Sequence, residues 1–310
     1  MRAYDLDDDL KLVGIAPPHW GSDKLNSIYV LKSEKVALVD VGPSASVDDL
    51  MLGLRELNIN AGDVSYIFIT HIHIDHAGGV GKAIGQMPNA IVVVHKEGRP
   101  HLVEPAKLWR AGQRALGELA LEYGHIEPVP EDRILVAHEG MVFHLGEMKI
   151  EVVSTPGHAS HHLSFWHRNK GRLFVGDVAG VYIKEIDLVR PATPPPFNLE
   201  QTLTSLEKLI HLRPLNLYYA HFGYTTHAVE KLHYYKQKLI LWGSIISHCM
   251  EKGRAEEQDI YNEIFEKDDI LSRLKSLSLN HRRRELDFTK RSIRGLVDYF
   301  SKVASSVKTE

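Results

Sequence analysis

The sequence has almost no cysteine, no long apolar run and little net charge. Its single cysteine, Cys249, excludes an internal disulfide bond and a metal site built from several cysteines. No apolar stretch is long enough to span a bilayer, and the acidic segment 1–9 lacks the apolar core of a signal peptide. We therefore expect a cytoplasmic protein with no membrane partner.

The balance of charge argues against a nucleic-acid partner. The chain has 37 Lys and Arg residues and 40 Asp and Glu residues, which leaves a net charge of −3 with histidine neutral. Such a chain has no overall attraction for nucleic acid. The basic run 282–284 is followed by acidic Glu285 and Asp287, as on a solvated helix face. A small molecule is the expected substrate.

The chain also offers no convincing serine nucleophile, because it has no Gly-x-Ser-x-Gly motif. Instead, four side chains that bind metals fall within six positions after the apolar run 66–69: His71, His73, Asp75 and His76. Zinc and similar cations favour imidazole and carboxylate donors. Buried groups of this kind at this density need a charge to organise them. The pattern therefore predicts a metal site at the end of a buried strand.

Three more candidate ligands follow short apolar runs later in the chain. His158 follows a strand pattern that ends in a Pro-Gly turn, Asp177 follows the run 173–176, and His221 follows the run 217–220. Ends of strands are the places where αβ architectures gather functional groups. If the chain holds two metal ions, the cluster of four cannot supply all of their ligands. These three residues could supply the others.

In identity and order these residues resemble the ligand pattern of the metallo-β-lactamase superfamily, His-x-His-x-Asp-His followed by His, Asp and His. The resemblance implies two divalent cations, each held by three side chains and bridged by Asp177. The first trio is His71, His73 and His158. The second trio is Asp75, His76 and His221. Zinc fits these donors best, and iron and manganese are alternatives.

Asp40 matches the acidic residue that the family places behind the site. By that resemblance it would orient a ligand histidine from outside the ligand set, a support that metal sites generally need. The alternative is an ordinary turn-forming aspartate before Gly42. The resemblance covers roughly 10–230 and is strongest to glyoxalase II-like hydrolases of archaea and bacteria.

Strand and helix signals alternate through two similar halves, which predicts an α/β (α+β) fold with a sheet-on-sheet sandwich. The resemblance makes it a four-layer αββα metallo-β-lactamase sandwich. Residues 105–123 have apolar positions at the spacing of one helix, and only helical spacing continues beyond 227. We expect a catalytic domain at 1–226 and a helical C-terminal extension at 227–310. The extension could pack on its own domain or on a second subunit, so a homodimer is one alternative.

The resemblance implies a metal-dependent hydrolase, in which a hydroxide held by two cations attacks the carbonyl of a thioester or of an activated ester or lactone. Asp75 would then be a catalytic residue, because it could accept a hydrogen bond from the attacking water. Two alternatives are open. One is a phosphodiesterase acting on a small nucleotide or nucleic acid. The other is a non-catalytic binding protein whose metals brace the fold.

Substrate selection must come from loops around the cations. Tyr182 could donate a hydrogen bond to an oxyanion, and Arg190 could bind a carboxylate. Ordinary packing is an equal alternative for every pocket candidate. The candidates share positions near the predicted site: His19, Trp20, Trp109, Tyr182, Arg190 and Thr193.

Overall fold

The computed structural model describes residues 2–20, 25–221, 223–254 and 256–307. The chain divides into two compact units, and each unit is built from three separate segments of the sequence. The first unit comprises Met1–Ser154, His161–Gly176 and Ala220–Phe222, and the second comprises Thr155–Ser160, Asp177–Tyr219 and Gly223–Glu310. The predicted boundary between 226 and 227 stays a prediction.

A seven-stranded sheet forms the centre of the first unit, with its strands in chain order. The first four strands pair antiparallel, and strands four to seven pair parallel. The parallel strands are rich in buried valine and isoleucine, as expected for strands covered on both faces. The strands are β1 (Ala3–Asp7), β2 (Leu10–Ile15), β3 (Asn26–Lys32), β4 (Val36–Val39), β5 (Val64–Phe68), β6 (Ile91–His95) and β7 (Ile134–Ala137).

Four more strands of the first unit form an antiparallel meander that packs on one face of this sheet. Aromatic rings fill the space between the two layers, with the ring of Phe68 5.0 Å from those of both Phe143 and Phe165. This is the predicted packing of sheet on sheet. The strands are β8 (Val142–His144), β9 (Lys149–Ser154), β10 (Leu163–His167) and β11 (Arg172–Gly176).

Helices of the first unit cover the other face of the seven-stranded sheet, where Leu50, Leu54 and Ile84 join its buried core. The helices are α1 (Val47–Glu56), α2 (Ile74–Ala77), α3 (Val80–Gln86), α4 (Arg99–Val103), α5 (Ala106–Leu116) and α6 (Glu118–Tyr123). The single helix predicted over 105–123 is therefore two, because the chain turns at Gly117 with a positive φ of 63°.

Among the described residues, the second unit contains two antiparallel hairpins and five α-helices. The hairpin strands are β12 (Val181–Ile183), β13 (Leu188–Arg190), β14 (Asn216–Tyr219) and β15 (Gly223–Thr225). The helices are α7 (Leu199–His211), α8 (Ala228–Glu251), α9 (Glu257–Lys267), α10 (Ile270–Leu274) and α11 (Leu279–Val307).

The described part of the chain after 227 contains helices and no strand, which confirms the predicted helical C-terminal region. The apolar positions of α8 that keep helical spacing, such as Leu232, Leu239 and Trp242, are fully buried. None of the described helices combines the length and the apolar character needed to cross a bilayer.

Candidate metal centre

The motif at 71–76 lies between a strand of the seven-stranded sheet and a short helix. Strand β5 ends at Phe68, and α2 begins at Ile74. The backbone N–H groups of His76 and Ala77 both donate to the carbonyl of His73. This turn folds the motif back on itself, so that side chains two to five positions apart meet. The rings of His71 and His76 are fully buried, with centroids 4.1 Å apart.

Asp75, His76 and His221 form one group of donors within the first unit. Their ligand atoms all lie within 4.8 Å of one another. Asp75 Oδ2 is 3.7 Å from His76 Nε2 and 3.6 Å from His221 Nε2. These separations are too long for hydrogen bonds, whereas two donors about 2.1 Å from a tetrahedral ion lie about 3.4 Å apart. The three side chains therefore fit one divalent cation.

His71 and His73 form a second convergent pair in the same unit. His71 Nε2 lies 2.9 Å from His73 Nδ1, and the two rings meet edge to face. This distance is that of a hydrogen bond between the two rings, and the pair brings together two imidazole nitrogens, a donor type that divalent transition metals accept. In the first unit, each predicted ligand thus has a potential ligand atom close to that of another predicted ligand. These residues are His71, His73, Asp75, His76 and His221.

The ring nitrogens on the other side of these histidines are held by acceptors. His76 Nδ1 lies 3.0 Å from Asp40 Oδ2, and His221 Nδ1 lies 3.2 Å from the carbonyl oxygen of Leu25. A carbonyl or carboxylate accepts a hydrogen bond from Nδ1–H, which keeps the proton on Nδ1 and leaves the lone pair of Nε2 for a metal. The surroundings therefore select the tautomer that a ligand histidine needs.

Asp40 supports the motif at two points. Its buried carboxylate accepts from the backbone N–H of Thr70 at 2.8 Å and from the Thr70 hydroxyl at 2.8 Å, besides His76. Because the Thr70 hydroxyl donates to Asp40, its oxygen can accept from His71 Nδ1, which lies 3.0 Å away. One carboxylate therefore orients His76 directly and His71 through Thr70. Sequence reasoning missed Thr70, although its place directly before the motif was a signal.

We expect Asp40→Asn to weaken zinc binding about 10- to 100-fold, the usual cost of losing such support. Asparagine tolerates the positive φ of 60° at this position. Its amide N–H₂ group, however, would face the donors of His76 and Thr70. Thr70→Val removes the hydroxyl that joins Asp40 to His71 and leaves His76 bonded to Asp40, so it should weaken the binding of one ion.

Competition with a chromogenic zinc chelator measures both affinities. Asp48→Asn is the matched control, because Asp48 is an exposed partner of Lys82 outside the motif. Unchanged affinities in Asp40→Asn would show that Asp40 is only a turn residue.

His158 and Asp177 belong to the second unit, where they are neighbours. His158 Nε2 lies 3.8 Å from Asp177 Oδ2, and both side chains are buried. His158 Nδ1 lies 2.8 Å from the carbonyl oxygen of Ala192. This imidazole has the same arrangement as His76 and His221, with one nitrogen held by an acceptor and the other beside a carboxylate.

The three pocket candidates of the second unit have structural partners. The Tyr182 hydroxyl donates to Asp187 at 2.8 Å, and burial together with this bond raises the pKa of Tyr182 to about 12. Arg190 forms a buried ion pair with Glu285 at 2.9 Å, and Thr193 donates to a backbone carbonyl. A guanidinium already neutralised by a buried carboxylate is a poor anchor for a second one. Their roles toward a substrate stay predictions.

The remaining candidates lie around Ile74 in the first unit. Trp20 and Trp109 are half-buried and pack with Ile74 and Tyr123 in one apolar cluster, and the Trp20 indole N–H donates to Glu122 at 2.7 Å. The side chain of His19 lies outside the described residues. The two tryptophans therefore border the residue that separates His73 from Asp75 in the chain.

Comparison with known proteins identifies the class that this fold and this donor set define. The sequence profile of the metallo-beta-lactamase superfamily matches residues 21–221, so the chain belongs to that superfamily. This confirms the resemblance and the fold class. Members are mostly metal-dependent hydrolases and include nucleases, so family membership supports the coarse prediction of a metal-dependent hydrolase. The fold of this family implies binding of divalent metal.

One relative is similar over most of its length. The metallo-beta-lactamase fold-containing protein ST1585 of Sulfurisphaera tokodaii is 31% identical over 215 residues, which are 68% of this chain and 77% of that protein. The crystal structure of ST1585, described as from Sulfolobus tokodaii, has a TM-score of 0.64 at 29% identity and covers 74% of this chain and 86% of that chain.

Two further relatives show how far the likeness extends. The family protein TTHA1429 of Thermus thermophilus has a TM-score of 0.71 over 97% of this chain and 95% of that chain, and at 22% identity it shows the fold alone. The exodeoxyribonuclease YycJ of Bacillus anthracis is 29% identical over 147 residues, which are 47% of this chain and 47% of that protein.

Proposed function

We propose that this protein is a dinuclear hydrolase that cleaves a thioester or an activated ester or lactone, as glyoxalase II-like enzymes do. One cation would be held by His71, His73 and His158. The other would be held by Asp75, His76 and His221, with Asp177 as the bridging ligand. The observation that carries the proposal is the convergence of Asp75, His76 and His221 on one point, with the outer nitrogen of each histidine held by an acceptor.

Exposure separates the roles of these residues. The side chain of His76 is 1% exposed, whereas those of Asp75 and His221 are 21% and 15% exposed. His76 therefore anchors the group, and the Asp75 side of the group is open to a substrate and a water molecule. Two divalent cations bound there supply Lewis acidity, which polarises a carbonyl and activates water near neutral pH. We propose that Asp75 accepts a hydrogen bond from the attacking water and directs that water at the carbonyl carbon.

The charges of the chain favour a small substrate without several negative charges. The net charge is −3, and the guanidinium of Arg190, the predicted carboxylate binder, is paired with Glu285. We therefore propose a small-molecule substrate in the cytoplasm rather than a nucleic acid. Zinc is the proposed metal, because imidazole and carboxylate donors suit it best.

The test is turnover by the zinc-loaded protein on a panel of chromogenic thioesters, lactones, esters and phosphodiesters. We expect hydrolysis of at least one carbonyl substrate, loss of that activity with a chelator and recovery with zinc. The variant His144→Ala, which replaces an exposed histidine far along the chain from the motif, should keep this activity. Activity confined to phosphodiesters would contradict the proposal.

A phosphodiesterase is the second candidate, because the exodeoxyribonuclease YycJ is among the relatives. Bis(p-nitrophenyl) phosphate and single-stranded DNA in the same panel test it directly. Stoichiometric zinc without turnover of any substrate would instead favour the non-catalytic binding protein.

A further inference from the structure

The segment 190–193 lies between His158 and two helices of the C-terminal region. Its residue Ala192 accepts a hydrogen bond from His158 Nδ1 through its carbonyl oxygen at 2.8 Å. The position of this carbonyl therefore sets the direction in which His158 Nε2 points. Residues that hold Ala192 in place also determine whether His158 is aligned as a ligand.

Helix α11 holds both neighbours of Ala192 through one residue, Ser292. The Ser292 hydroxyl donates to the carbonyl of Pro191 at 2.7 Å, and the Ser292 carbonyl accepts from the Thr193 hydroxyl at 2.6 Å. Ser292 is 4% exposed and Thr193 is fully buried, so water does not compete for either bond. Ser292 therefore forms a hydrogen bond with the residue on each side of Ala192.

Further contacts hold the same segment. The Ala192 backbone N–H donates to the Tyr235 hydroxyl on α8 at 3.4 Å. Arg190 pairs with Glu285 on α11 and also donates to the carbonyl of Pro191 at 2.8 Å. A Cβ atom at Gly295 would lie 1.6 Å from the carbonyl oxygen of Thr193, so α11 meets the segment through bare backbone. Helix and segment are packed as closely as main chains allow.

We propose that Ser292 and Tyr235 are positioning residues of the metal centre, which fix the Ala192 carbonyl and through it the imidazole of His158. Both residues lie beyond the stretch 21–221 that matches the family. The helical C-terminal region is then part of the support of one cation. This inference rests on the proposed metal-binding function.

The experiment compares zinc affinity in wild type, Ser292→Ala and Tyr235→Phe, each of which removes one hydroxyl. Competition with a chromogenic chelator should show one zinc ion bound about 10- to 100-fold more weakly and the other unchanged. Ser301→Ala is the matched control, because Ser301 is an exposed serine on the same helix whose hydroxyl donates to the carbonyl of Val297 in that helix. Thermal unfolding of the metal-free proteins shows whether each variant is folded, and Tyr235→Phe keeps the test open if Ser292→Ala does not fold.

A double replacement separates positioning from general stability. In the His158→Ala background, Ser292→Ala should cause no further loss of zinc affinity, whereas in the His221→Ala background its effect should persist. Equal losses in both backgrounds would overturn the inference, as would two wild-type affinities in Ser292→Ala and Tyr235→Phe.

A readout without metal keeps the two proposals apart. The His158 Nδ1 proton, assigned by its loss in His158→Gln, should give a slowly exchanging nuclear magnetic resonance signal that exchanges faster in Ser292→Ala. If wild type binds no zinc, the proposed function fails, and this signal alone still decides the role of Ser292. If wild type binds two ions and the signal and affinities are unchanged in both variants, only the inference fails.

Discussion

His221→Ala is expected to bind one divalent cation in place of two and to lose at least about a thousand-fold in turnover. A Lewis acid contributes several kcal/mol to the stabilisation of the transition state, and each 1.36 kcal/mol is a factor of ten in rate. His221 Nε2 is one of three donor atoms that converge, the others being His76 Nε2 and Asp75 Oδ2. Without it, that ion keeps Asp75, His76 and the bridging Asp177, a carboxylate that it shares with the other cation, so its binding should be much weaker.

Metal content by plasma emission spectroscopy and turnover of the substrate found in the panel measure this loss. His227→Ala is the matched control, because His227 is an exposed histidine six positions further along the chain whose side chain is 70% exposed. It should keep two ions and full activity. Two tightly bound ions in His221→Ala would remove His221 from the ligand set and refute the assignment of the second trio.

Glu285→Gln is expected to destabilise the fold by about 3 kcal/mol, because removing one partner of a buried ion pair leaves an uncompensated charge. Arg190 and Glu285 are 6% exposed each and lie 2.9 Å apart. A loss of this size lowers the melting temperature by roughly 10 °C. Asp298→Asn on the same helix removes an exposed pair with Lys302 and should change stability by no more than about 0.5 kcal/mol.

Differential scanning calorimetry at neutral pH compares the two variants. The double replacement Arg190→Met with Glu285→Leu should recover much of the lost stability, since apolar pairs often replace buried ion pairs without cost. Equal melting temperatures for Glu285→Gln and Asp298→Asn would mean that the buried pair does not stabilise the fold.

The same pair makes stability depend on pH. Burial alone raises the pKa of Glu285, but Arg190, His281 and Arg284 outweigh it and lower that pKa from 4.5 to about 2. A carboxyl group with a lower pKa in the folded state contributes stability above its unfolded pKa and loses it as the pH falls toward the folded pKa. Wild type should therefore lose stability between pH 4.5 and about 2 more steeply than Glu285→Gln, as measured by melting temperature.

Local spacing was enough to predict the motif and much of the fold. The residues from His71 to His76 are neighbours in the chain, so a strand followed by a turn of helix brings them together whatever surrounds them. The buried positions of α8 follow from their spacing in the same way. The predicted single helix over 105–123 was wrong, because the spacing stays in phase across Gly117 while the backbone there turns to positive φ.

Contacts between distant parts of the chain could not be predicted from the spacing of residues in the sequence. Glu285 is 95 positions from Arg190, and Ser292 is 99 positions from Thr193, so nothing local showed that these polar groups were already engaged. Backbone acceptors such as Ala192 and Leu25 have no sequence signature, because every residue carries a carbonyl. The sequence by itself determined which groups could bind a metal, since that is a property of side-chain chemistry. Only the tertiary structure decided how those groups are aimed and which candidates are committed to packing, because hydrogen bonds form where the folded chain brings donor and acceptor together.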